Sequence, residues 1–260
     1  MSIKSIKSGY RGISLQAGNI LTPTPGYRLW LDAADTSTIS VSGNAVTQWT
    51  DKSANAYAFT QGTAGSRPSS GTRTVNGRNV IDFDGTDDAL GSTATASTWT
   101  FMHNTSGTTW FVVVLPDVTN VGQFVMETNG GFGDQRGFWH LITSGGNHDF
   151  RITSTAAVSL VTDAATSGSA VLYTVKSDPG NGTLADRLKF YKNNGSASGT
   201  NTSNATASSS DPYETLQLGK AIIGGLPLNG AICEILLYPS LLSDADREKT
   251  REYLMIKWGL

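Results

Sequence analysis

Short apolar segments cut apart by glycine-containing corners are the feature that most restricts what this chain can fold into. The segments are Tyr27–Asp32, Val46–Asp51, Val80–Asp84, Thr109–Leu115, Gln123–Glu127, Gly137–Ile142, Phe150–Ser154, Ala170–Lys176, Leu188–Lys192, Leu216–Lys220 and Ala231–Tyr238. Each has strand length and is rich in β-branched and aromatic residues. Asn-Gly pairs at 76–77, 129–130, 181–182, 194–195 and 229–230 supply corners, since both residues tolerate positive φ. Thr-Trp-Phe-Val-Val-Val-Leu at 109–115 has no polar alternation, the pattern of a strand covered on both faces. Many short strands with tight corners predict an all-β, two-sheet antiparallel jelly-roll sandwich rather than a parallel α/β sheet.

Helix formers are scarce until the end of the chain. Glutamate occurs only at 127, 214, 234, 248 and 252, against 29 glycines. One helix is expected, over about 243–257. Ser243 is its N-cap, Asp244 and Asp246 complement the dipole, and Gly259 ends it. Leu254/Trp258 and Tyr253/Ile256 form its apolar face, while Arg247, Glu248, Arg251 and Glu252 face water. With 260 residues the chain can bury a large core without metal or disulfide, and the single Cys233 sits in an apolar run as an inert thiol.

Net charge is -2, and Lys and Arg are scattered, so no nucleic-acid footprint exists. No segment approaches the roughly 20 apolar residues of a membrane span, and the basic N-terminus lacks the apolar core of a signal peptide. Residues 1–25 differ from the rest, ending in Thr-Pro-Thr-Pro before Gly26. They are expected to be an extended arm whose Ile3, Ile6, Tyr10, Ile13 and Leu15 dock onto an assembly, with residues 26–260 as the domain. The Ser/Thr/Asn-rich stretch 195–210 is expected to be an exposed loop outside the core.

Four stretches carry a resemblance. They are Leu-Trp-Leu-Asp-Ala-Ala-Asp at 29–35, Gln-Trp-Thr-Asp-Lys-Ser at 48–53 and Ile-Asp-Phe-Asp-Gly-Thr-Asp-Asp-Ala-Leu at 81–90. The fourth runs from Gly230 through Glu-Ile-Leu-Leu-Tyr at 234–238 to Lys-Trp-Gly at 257–259. In this order they resemble the concanavalin A-like lectin/glucanase superfamily, in its laminin G-like branch of bacterial and tailed-phage proteins. The resemblance implies the sandwich fold and says little of function, because this fold hosts lectins, hydrolases, lyases and structural modules. The opening Ser-Ile-Lys-Ser-Ile-Lys-Ser-Gly also resembles the start of small tailed-phage virion proteins.

Glucanases of this fold carry Glu-x-Asp-x-Glu on a strand, so that two carboxylates flank the scissile bond. This chain has no such pattern, so no catalytic residue and no enzymatic activity are expected. His103, His140 and His148 form no metal-binding motif, and His148-Asp149 reads as a loop pair. Asp82, Asp84, Asp87 and Asp88 on a strand and its bend are the candidate Ca²⁺ ligands, with turn capping as the alternative. Trp99, Trp110, Trp139 and Tyr213 are the candidates for stacking on sugar rings, with core packing as the alternative, whereas Trp30, Trp49 and Trp258 belong to the core. Two functions follow as expectations. One is a non-catalytic virion protein, anchored and oligomeric through its arm and displaying the sandwich. The other is a lectin module recognising surface glycans; a glycan-active hydrolase or lyase ranks below both.

Overall fold

The computed structural model describes residues 21–104, 106–130, 136–154, 157–198, 201, 208–223 and 225–260. The expected assembly residues Ile3, Ile6, Tyr10, Ile13 and Leu15 lie outside that set. The fold is an all-β antiparallel sandwich with a C-terminal helix. In chain order the strands are β1 (Leu29–Asp32), β2 (Ile39–Ser42), β3 (Ala45–Thr50), β4 (Ala58–Thr60), β5 (Ser69–Val75), β6 (Arg78–Asp84), β7 (Leu90–Ser92) and β8 (Thr108–Pro116). They continue as β9 (Gln123–Glu127), β10 (Gly137–Ile142), β11 (Asn147–Ser154), β12 (Ala157–Ala164), β13 (Val171–Ser177), β14 (Leu188–Lys192), β15 (Gln217–Leu218) and β16 (Asn229–Tyr238), before helix α1 (Asp244–Trp258).

Hydrogen bonding runs β12-β11-β10-β9-β15-β7-β4-β3-β5-β6-β16-β8-β13-β14, with β1 beside β16 and β2 beside β3. The two ends of this order meet. Tyr173 of β13 and Lys192 of β14 both reach Asp163 of β12, and Phe150 of β11 lies against Phe190. The path therefore folds over on itself into layers around an inner core. β8 is covered on both sides, as its composition predicts: Trp110, Val112 and Val114 enter the inner core, while Phe111, Val113 and Leu115 point to the outer one. Helix α1 closes the outer core with Tyr253, Leu254, Met255 and Trp258.

Local chemistry explains the corners. Asn76 and Gly77 both hold positive φ between β5 and β6, as a tight hairpin of matching twist requires. Ser243 caps α1 through the Asp246 amide, and left-handed Gly259 ends the helix. Asn229-Gly230, in contrast, is not a corner: both residues lie inside β16, because Gly230 packs against the β8 backbone where any Cβ would collide with the Leu115 carbonyl.

Three further expectations are corrected. Arg247 does not face water; it is 9% exposed, its guanidinium stacked 4.0 Å over the Tyr191 ring. Ile256 is half exposed, since the face that meets the sheet is carried by residues 250, 253, 254 and 258. Within the polar stretch 195–210, Ser198 pairs with Phe190 and Asn201 is buried, so part of it packs on the sandwich. Packing also extends upstream of residue 26. The Thr24 amide donates to Thr250 Oγ1 at 3.0 Å, and the Tyr238 hydroxyl donates to the Thr24 carbonyl at 2.7 Å.

Candidate functional site

β6 ends in Asp84, and the turn after it depends on Gly85, whose φ of +77° and close approach to Asn229 exclude a side chain. The next carboxylates fold back onto the turn. Asp84 Oδ1 accepts from the Thr86 amide at 2.7 Å, Asp88 Oδ2 accepts from the Asp84 amide at 3.0 Å, and Asp87 Oδ2 accepts from the Ser66 hydroxyl at 2.6 Å. Carboxylate oxygens of Asp84, Asp87 and Asp88 gather within 4.8 Å of one another. Asp82 does not join them. Its strand neighbours turn it to Arg73, whose guanidinium it meets at 2.9 Å. The three ligand oxygens gathered here are short of the six to eight a Ca²⁺ ion takes, and each carboxylate already accepts a bond, Asp84 and Asp88 from within the turn and Asp87 from Ser66. The cluster does not by itself define a metal site.

Crowding has an electrostatic consequence. Burial, together with Asp84 and Asp87, pushes Asp88 up to about 6. A carboxyl raised in the folded state stabilises the fold below its unfolded value near 4, and that contribution is lost as pH rises through about 6. Asp88→Asn, which keeps an acceptor for the Asp84 amide, is therefore expected to raise the melting temperature clearly more at pH 8 than at pH 4.5. Melts at both pH values check this, and an equal gain at both would overturn the electrostatic cause.

Beside the turn lies a surface cavity of about 260 Å³, lined by Gln61, Thr63, Ser66, Asp87, Ala89, Gln217, Lys220, Ala221 and Ile222. Amide, hydroxyl, carboxylate and ammonium groups dominate its wall. Its far side is the loop between β15 and β16, which exposes Ile222, Ile223 and Leu226. Tyr213, 47% exposed, lies against Gly130 alongside Ile223, so an aromatic face adjoins this loop.

A carboxyl that the sequence did not mark holds the loop in place. Glu127, at the end of β9, is fully buried. It accepts from the Gly130 amide at 2.7 Å and the Ile222 amide at 3.4 Å, tying both flanking loops to one side chain. Burial pushes it up to about 7. It packs beneath the loop and does not line the cavity.

The aromatic candidates divide. Tyr213 is at the surface, but Trp99, on the 3-10 turn Ala96–Met102, and Trp110, on β8, have no exposed area because both point into the inner core. Trp139 is 6% exposed, wedged against Phe124 and covered by the Arg151 guanidinium at 4.4 Å. None of these tryptophans can stack on a sugar from solvent. His148 is likewise not a loop residue, and His140 lies on the expected strand Gly137–Ile142. They sit on β10 and β11 in the sandwich interior, with His140 Nε2 and His148 Nδ1 2.7 Å apart.

No family model matches the chain, and no curated protein matches it. Solved structures do. The binding domain of botulinum neurotoxin DC, solved in complex with SialylT, is similar over 89% of this chain and 52% of its own, with TM-score 0.55 and 11% identity. A Trypanosoma rangeli sialidase, in complex with a difluorinated nononic acid, is similar over 90% of this chain and 33% of its own, with TM-score 0.55 and 14% identity. The chain thus spans about half of the first and a third of the second. The CBM40 of a Ruminococcus gnavus IT-sialidase, bound to α2,3-sialyllactose, is 19% identical over 64% of this chain and 92% of its own, and its TM-score of 0.46 bears no weight. At these identities the likeness is one of fold: a β-sandwich shared with the neurotoxin binding domain and the sialidase.

Proposed function

We propose that this chain is a non-catalytic carbohydrate-binding module, a lectin-like sandwich of the concanavalin A-like, laminin G-like kind. The observation that carries the reading is the polar cavity of about 260 Å³, one wall of which, at Lys220, Ala221 and Ile222, belongs to the loop whose Ile223 neighbours exposed Tyr213. A cavity below the roughly 300–1,000 Å³ of drug-sized sites suits a small ring bearing hydroxyls. Gln61, Gln217, Lys220 and Asp87 offer donors and acceptors of the kind such hydroxyls pair with. Tyr213 offers an aromatic face for the ring's apolar side. The fold neighbours solved with sialylated or sialic-acid-like ligands are consistent with this class of partner.

Hydrolysis is a poorer reading. Among the described residues Asp87 is the lone carboxylate on the cavity wall, and glycoside cleavage needs two that flank the bond. Display of the module on a larger assembly, a virion in the reading of residues 1–25, remains part of the proposal. It is supported by the pinning of Thr24 to α1 and Tyr238, which would give an upstream arm a fixed point of departure.

Glycan-array screening followed by titration tests the reading. Saturable binding to a glycan is expected, weakened about tenfold, or about 1.4 kcal/mol, by Gln217→Ala or Tyr213→Ala. Val41→Ala, at an exposed position on β2, is expected to leave affinity unchanged. An array without a single binder, or binding insensitive to both site substitutions, would overturn it.

A further inference from the structure

The proposed glycan site leaves unused a buried group of ionisable side chains between the sheet and α1. Asp32 of β1 and Glu234 of β16 stand directly opposite in register. Lys257 of α1 reaches between them, its Nζ 2.5 Å from Asp32 Oδ1 and 2.7 Å from Glu234 Oε2. All three side chains are nearly sealed from water, at 6%, 0% and 11% exposure for Asp32, Glu234 and Lys257. Trp30 and Trp258 both donate their indole N–H groups to Glu234 at 2.7 Å, so the surroundings are aromatic. Lys52 Nζ holds the other Asp32 oxygen, Oδ2, at 2.9 Å.

We propose that Lys257 and Asp32 condense to an intramolecular amide with loss of one water, Glu234 carrying the proton between nitrogen and leaving oxygen. In a dry site an ion pair and its neutral counterpart, amine and carboxylic acid, lie far closer in energy than in water. A proton passes from Lys257 Nζ to Asp32 Oδ1 across their 2.5 Å contact. The freed amine lone pair then attacks Asp32 Cγ, forming the C–N bond as the carbonyl electron pair moves onto Oδ2. The Lys52 ammonium at 2.9 Å stabilises that oxyanion. Glu234 takes one proton from the new ammonium nitrogen and returns it to the Oδ1 hydroxyl, which departs as water while the oxyanion collapses to the amide carbonyl. Lys257 begins with three N–H bonds; one remains on the amide and two leave in the water. Glu234 ends as it began. Burial raises its proton affinity, as a proton carrier here needs.

Held in contact, the two groups react as one molecule, where effective concentrations of about 10⁵ M and above replace bimolecular encounter. The product would join β1 to the last helix across 225 positions of chain. Tension entering from the N-terminal side would then pass to α1 and β16 through a covalent bond, without peeling β1 away.

Intact-mass measurement of the folded, then denatured, full chain tests this. The mass is expected to fall short of the sequence mass by one water. Trypsin is expected to release Leu29–Lys52 joined to Glu252–Leu260 through uncleaved Lys257. Glu234→Gln, and independently Lys257→Arg, which keeps the cation but lacks the amine, are expected to show the full sequence mass with near-ultraviolet circular dichroism of the folded protein. Full sequence mass in the folded wild type overturns the proposal, as does a missing water located elsewhere, such as an imide at Asp84-Gly85. Persistence of the branched peptide in Glu234→Gln overturns the role of Glu234.

Discussion

Glu234→Ala is expected to destabilise the fold by roughly 3–5 kcal/mol, the scale for removing one partner from a buried ion pair. Four donors lose their acceptor together. Glu234 Oε1 receives Trp30 Nε1 at 2.7 Å and the Tyr253 hydroxyl at 2.8 Å, while Oε2 receives Trp258 Nε1 at 2.7 Å and Lys257 Nζ at 2.7 Å. Two indoles and a phenol would keep their apolar packing but leave N–H and O–H groups buried without partners. Lys257 would retain the Tyr253 hydroxyl and Asp32, the latter already shared with Lys52. Because the acceptors sit on β16 and the donors on β1 and α1, the loss falls on the seam joining helix to sheet. For a domain this large the melting temperature is expected to drop by about 10 °C. Urea unfolding of the variant and its parent, both in a Lys257→Arg background where no amide can form, isolates the noncovalent cost. A loss under 1 kcal/mol would show that water enters the seam and solvates what is left.

Much of the framework was legible in the chain because short-range chemistry decides it. The unbroken apolar run of β8 announces two covered faces, and both are covered. Ser243, Asp246 and Gly259 fix the limits of α1 through bonds made within a turn of each residue. β2, β4, β5, β7 and β12 were not legible. Ser69–Val75 and Ile39–Ser42 are polar, largely exposed segments whose pairing is set by their neighbours. β4 and β7 have only three residues each, too few for a period to show. The acidic turn was legible as a cluster, but not the defection of Asp82, which depends on Arg73 across the β5–β6 hairpin and on Asp117 beyond it.

The site was less legible than the fold, for a related reason. Whether an aromatic faces solvent depends on tertiary burial, and Trp99, Trp110 and Trp139 carry no local sign of theirs. Glu127 became visible only once two loops, distant in sequence, placed their amides on it. The histidines show how a small boundary error propagates. Beginning β11 at Phe150 leaves His148 in a loop; beginning it at Asn147 pairs His148 with Ile142 and His140 with Phe150. Both imidazoles then share the inner face, since side chains alternate along a strand. Gly146, with φ of +78°, marks the corner that makes the longer hairpin possible.

That histidine pair sets the second large effect, which is one of pH. One ring donates to the other across 2.7 Å, and His140 Nδ1 and His148 Nε2 find no partner among the described residues. Burial drives His140 well below its ordinary value of 6.5, and pushes His148 down to about 3. Asp163 stands directly opposite His148 in register and favours its charged form. Its carboxylate, however, is already engaged by the Tyr173 hydroxyl at 2.7 Å and by Lys192 at 2.8 Å, and Lys192 opposes the charge. For groups lowered in the folded state, the unfolded chain takes the protons first. Their contribution is complete above about 6.5 and is lost as pH falls toward about 3. Asp88 and Asp149, raised to about 6, and Glu127, raised to about 7, act with the opposite sign and favour the folded state over much of the same range. The wild-type stability profile between pH 6 and 4 is therefore expected to be shallow, a balance of opposed titrations. His148→Gln removes one proton taken up by the unfolded chain and leaves the carboxyls as they are. Relative to wild type it is expected to gain about 1.4 kcal/mol of stability for each unit of pH below about 6, whatever it costs at pH 7. Urea unfolding at pH 7, 5 and 4 measures the difference. A pH-independent difference would mean that His148 is protonated within the fold, and that Asp163 reaches it despite Tyr173 and Lys192.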